Sequence, residues 1–221
     1  MGLPLPAQSG AADCVLRAGA GGRNGAVAAD PRAVLGGSHF IVGEFDRAER
    51  ELADSERLLR GLAEEHLAEL AVCLLVRGST APYRGNLEEA ATLLREAAEA
   101  SRRSGERFLE VAALGHLGMV LAALGRLEEA EATLEQALDN PETAGNDWLR
   151  AHSLAYRGIA RLLRGRLDEA AADLHSAGEA ALKASSWQLV ANVCDGLGAI
   201  SLLHGDPQRA ATLLSAGHHL R

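Results

Sequence analysis

"GRLEEAEATL" (Gly125–Leu134) and "GRLDEAAADL" (Gly165–Leu174) are two renderings of one phrase. Each opens on a glycine, follows with two carboxylates, and then spaces alanine and leucine at helical intervals. A glycine can end a helix in the left-handed conformation, and acidic residues favour the first turn of the next helix, where the dipole is positive. The phrase therefore predicts helix, tight turn, helix. It recurs as "GEFDRAERELADSERLL" from Gly43, "GNLEEAATLLREAAEA" from Gly85 and "GDPQRAATLLSAGHHL" from Gly205. The steps Gly85 to Gly125, Gly125 to Gly165 and Gly165 to Gly205 are 40 residues each, and Gly43 to Gly85 is 42. A constant period of this size marks a repeated supersecondary unit.

A second glycine recurs seven residues upstream of each turn, at Gly36, Gly78, Gly118, Gly158 and Gly198. Each lies inside an apolar helical stretch, where glycine costs about 1 kcal/mol relative to alanine. Five such glycines in one phase predict a close helix crossing with no room for a Cβ. Ala48, Ala90, Ala130, Ala170 and Ala210 lie in phase on the second helices and are the expected facing residues. Glu88, Glu128 and Asp168 recur with the fold at helix starts, which makes them first-turn residues rather than a catalytic set.

Composition agrees with an all-helical chain of 221 residues. Hydrophobic residues make up 48%, enough for a core, while aromatics are only 3% and no long alternating β-branched run occurs. A formal charge of −8 runs against a duplex-binding surface. No apolar run reaches the ~18 residues of a membrane span, and the first residues have no basic-then-apolar secretion signal. The chain reads as cytoplasmic. Cys14, Cys73 and Cys194 are isolated from one another, so neither a zinc knuckle nor a redox pair is expected. The eight histidines fall in no ligand motif. "GAGGRNG" (Gly19–Gly25) lacks the Lys-Ser/Thr ending of a phosphate loop and reads as part of a flexible leader.

The pattern Leu117-Gly118, Gly125, Ala130, Ala137, repeated as Gly158, Gly165, Ala170, Ala177, resembles the tetratricopeptide repeat (TPR). The unit here is longer than is usual in that family, as in "REAAEASRRSGERF", and its aromatic positions are mostly aliphatic. This alanine-rich style resembles the repeat regions of bacterial LuxR-type and related actinobacterial signal-transducing regulators. Their ATPase and helix-turn-helix modules are not found in the sequence. The resemblance implies an all-α, right-handed α-solenoid of about five TPR-like helix-turn-helix repeats with a period near 40 residues, over residues 29–221. Residues 1–28 are then a flexible Gly/Ala-rich leader, with Asp30 and Pro31 starting the first helix.

In the TPR fold the first helices line a concave groove. Carried onto this chain, the groove phase holds Val72, Leu75, Met119, His152, Ile159, Asn192 and Asp195, with Ala112, Gly115, Ala155 and Ala199 between them. The basic carboxylate clamp of chaperone-binding TPR proteins is missing, and an amphipathic helix or short apolar peptide suits what remains. The function implied is a non-enzymatic protein- or peptide-interaction scaffold in bacterial regulation or assembly, with no catalytic or metal residues and no cofactor. The alternative is a small-molecule or enzymatic pocket near His152 and Asp195. Leu202, Leu203, Leu213 and Leu214 leave apolar candidates on the last unit, so homodimerisation or docking through the carboxyl-terminal repeat is expected.

Overall fold

The computed structural model describes residues 31–62 and 66–220. The leader expected at 1–28, together with Cys14 and Asp30, lies outside them. The described residues form two compact units, one up to Val120 and one from Leu121, and contain helices and turns but no strand.

The first unit holds α1 (Pro31–Ile41), α2 (Phe45–Arg60), α3 (Leu67–Thr80), a 3-10 turn (Ala81–Arg84) and α4 (Leu87–Ser104). Helix α5 (Arg107–Ala123) follows, with Val120 the last residue of this unit. The second unit holds α6 (Leu127–Asp139), the single turn α7 (Pro141–Ala144), α8 (Asp147–Leu163), α9 (Leu167–Lys183), α10 (Trp187–Leu203) and α11 (Pro207–His219). Helices α1–α2, α3–α4, α8–α9 and α10–α11 pack as pairs. One turn is more elaborate than the sequence predicts. Helix α3 stops at Thr80, and the 3-10 turn with Pro82 at its start precedes Gly85. Proline cannot donate the next helical hydrogen bond, so the α-helix tightens there before the glycine.

The phrase glycines close the turns as expected. At Gly165, φ is 76°. Its N–H donates to the Leu162 carbonyl at 2.9 Å, and the Arg166 N–H donates to the Arg161 carbonyl at 2.9 Å. These two crossed bonds satisfy helix-end carbonyls in the Schellman arrangement. The same pair of bonds closes the turns at Gly43, Gly85, Gly125 and Gly205. Between α9 and α10 a serine does this work: Ser185 has φ 53°, with its N–H on the Leu182 carbonyl and that of Ser186 on the Ala181 carbonyl.

Gly36, Gly78, Gly158 and Gly198 mark close helix crossings, but the group filling the space is not the facing alanine. A Cβ on Gly158 would lie 2.9 Å from Cγ of Leu174 and 3.2 Å from the Ala170 carbonyl oxygen. A Cβ on Gly78 would lie 2.8 Å from Cγ of Leu94, one on Gly36 2.6 Å from Cγ of Leu52, and one on Gly198 2.9 Å from Cγ of Leu214. Each leucine comes one turn after the register alanine. The alanine lets the backbones approach, and the leucine then packs over the bare glycine Cα. Leu174 is also covered from the next pair, since a Cβ on Gly196 of α10 would lie 2.8 Å from its Cδ1. It is fully buried, whereas Leu214, one period on, is 38% exposed.

Candidate binding surface

The seven groove-phase residues divide between the two units and between two degrees of burial. In the first unit, Val72 and Leu75 of α3 are buried, and Met119 of α5 is half-buried. In the second unit, His152 of α8 is buried, while Ile159 of α8 and Asn192 and Asp195 of α10 are half-buried. Helices α8 and α10 touch, which brings the first-helix faces carrying Ile159 and Asn192 into one neighbourhood.

His152 is held by its own helix. Trp148, His152 and Tyr156 follow one another at helical spacing, and all three are buried. The imidazole stacks on Trp148 with ring centroids 5.1 Å apart and meets Tyr156 edge-on at 4.7 Å. Asn192 accepts a hydrogen bond from Gln188 Nε2 at 3.4 Å, one turn earlier on α10. Asp195 points toward α11: its Oδ1 lies 3.0 Å from where a Gly217 Cβ would be. The two residues named for a pocket therefore have different surroundings, His152 among rings and Asp195 beside α11. Of the other histidines, His116 of α5 is buried. Burial pushes its imidazole down to about 4 from 6.5, against a backbone hydrogen bond involving Ala112, so it is neutral at pH 7.

The strongest polar constellations were not singled out from the sequence. In the first unit, Arg77 of α3 donates to Glu49 and Glu56 of α2, at 2.6 and 2.5 Å, and to Glu89 of α4 at 2.9 Å. Burial works against the Arg77 charge, but the bonds from Glu49 and Glu56 outweigh it and hold the guanidinium above its ordinary value. In the second unit, Glu131 of α6 accepts from Arg161 at 2.9 Å, Arg164 at 2.5 Å and Arg166 at 2.5 Å. Asp173 of α9 accepts from Arg157 and Arg161, each at 2.8 Å. Burial alone would raise the Glu131 carboxyl, but bonds from Arg161 and Arg164 hold it below the usual carboxylate range.

One contact recurs in register. The arginine just before the turn glycine, Arg84 or Arg164, reaches the carboxylate just after the register alanine of the preceding second helix, Glu49 at 2.8 Å or Glu131 at 2.5 Å. That spacing was the available signal. These groups join helices of the chain to one another, so they form a scaffold rather than an open site. Among the described residues no group of three or more His, Cys, Asp or Glu is placed to hold a metal. No described helix is long and apolar enough to cross a membrane.

The MalT-like TPR region family matches residues 39–218. No curated protein gives a significant match. Among solved structures, BtubC (BKLC) from P. vanneervenii superposes with a TM-score of 0.66 at 17% identity, covering 97% of this chain and 89% of that one. MamA, residues 41 to the end, from Desulfovibrio magneticus RS-1 gives 0.57 at 16% identity, covering 87% and 97%. YrrB, described as a TPR protein with an unusual peptide-binding site, gives 0.50 at 18% identity, covering 87% and 86%. At these identities the likeness is one of fold, an all-α solenoid of TPR-like helix pairs.

Proposed function

Because this chain belongs to the MalT-like TPR region family, we propose that it is a non-enzymatic scaffold that binds a protein or peptide partner on its first-helix face. The observation that carries the reading is the half-buried set Ile159, Asn192 and Ala199 on the touching helices α8 and α10. Such a surface combines apolar area with an amide able to pair with a partner backbone. Met119 offers the same phase in the first unit. Val72 and Leu75 in the first unit and His152 in the second are buried and offer a partner little area, and Asp195 lies toward α11. YrrB, with its peptide-binding site, is a precedent for this use of the fold.

We place the role in bacterial regulation or assembly and the chain in the cytoplasm. A net charge of −8 favours a protein partner over nucleic acid. The exposed Leu202, Leu203 and Leu214 on α10–α11 give a homodimer a second surface. A pocket at His152 and Asp195 has less support, because the imidazole is packed between two rings. The test is affinity capture from native lysate with the parent chain and with Ile159→Glu/Asn192→Arg. A protein enriched by the parent and lost by the variant, at unchanged helicity and melting temperature, is expected. Identical captured sets would end this assignment of the surface.

A further inference from the structure

We infer that, in the second unit, α6, α8 and α9 form one ion-clasped block, and that α10–α11 is a helix pair that opens from it separately. Only the consequence for partner binding rests on the function proposed above, and the joint itself can be tested without a partner.

The two joints in this unit are built differently. Between α6 and α8–α9, the carboxylate of Glu131 meets Arg161 from α8, Arg164 at its C-cap and Arg166 from the turn. Glu128 and Glu135 of α6 reach Arg164 and Arg161 from the outer side. Arg161 also bridges to Asp173 of α9, and the Glu131 and Asp173 side chains are each only 7% exposed. Sliding α6 by an ångström or two would leave charges unpaired where water screens them poorly, and that penalty rises steeply.

The joint between α8–α9 and α10–α11 lacks those residues. One 40-residue period on, Glu131 is replaced by Ala171 and Arg164 by His204, while Ser201 and Asp206 stand for Arg161 and Arg166. Apolar contacts pack it: Leu174 lies under Gly196, and Val193 Cγ1 is 3.4 Å from where a Gly178 Cβ would be. Apolar burial is non-directional, so this joint resists sliding far less than paired buried charges do. It passes between Ile159 on α8 and Asn192 and Ala199 on α10, so its opening widens the proposed binding face.

Amide hydrogen exchange on the full chain tests this, read helix by helix. Amides of α10 and α11 should exchange together, about tenfold faster than those of α8 and α9. Glu131→Gln should remove the difference between the two blocks. Ala171→Glu/His204→Arg installs the missing clasp and should slow α10–α11 about tenfold. If that variant misfolds, the parent and Glu131→Gln comparison decides alone. Exchange of α8 to α11 at a single rate would overturn the inference. So would simple fraying, with α11 fast and α10 as protected as α8.

Discussion

At Gly158 the chain gives up a side chain because Leu174 already fills the space. The gap to Leu174 Cγ is 2.9 Å for a Cβ alone, and the Ala170 carbonyl lies behind it at 3.2 Å. Gly158→Leu and Ala170→Leu should each destabilise the fold by about 1–3 kcal/mol through overpacking. The exposed Glu169→Gln should leave the thermal midpoint where it was, and thermal melts of the three variants read the difference. The glycine phase and the turn glycines were legible because the same backbone constraint recurs at the same place in successive phrases. The leucine partner was not, since most helices carry several leucines and only the packing shows which one sits over the bare Cα. His116 carries a second expectation at this scale. Its folded value is depressed, so its contribution to stability is present above 6.5 and is lost as pH falls from 6.5 toward about 4. That contribution is of order 3 kcal/mol. His116→Gln should flatten denaturant-measured stability over that window, and an unchanged slope would mean that another group titrates there.

Among the elements, charge does for the α2–α3 and α6–α8 joints what leucine does inside each pair. Removing one member of a buried ion set leaves its partners charged and desolvated, which costs more than the intact set contributes. Glu131→Gln should therefore destabilise the second unit by about 3–5 kcal/mol, measured by denaturant titration. Replacing Arg157, Arg161 and Asp173 together by apolar residues of similar volume should cost less per residue removed. Because the Glu131 value is lowered, its contribution is present above 4.5 and lost as pH falls below that. These carboxylates escaped the sequence reading for a physical reason. Glu128, Glu129 and Glu131 look alike along the chain, and only the stacking of α8 on α6 makes Glu131 a buried acceptor while Glu128 remains exposed. Groove phase met the same obstacle. It gives the direction in which Val72, Leu75 and His152 point, but not the neighbours that bury them.

On the scale of the whole molecule, the chain is an all-α solenoid of TPR-like helix pairs in which the second helices α2, α4, α6 and α9 carry most of the acid. A partner that reads such a scaffold meets the half-buried Ile159 and Asn192, while Trp148, His152 and Tyr156 are buried. The most direct measurement places a photo-crosslinking residue at position 159 in one chain and at position 175 in another, since His175 is exposed on α9. Both chains are irradiated in native lysate. The account predicts a discrete protein adduct from position 159 and none from position 175. An adduct from position 175 with none from 159 would contradict it.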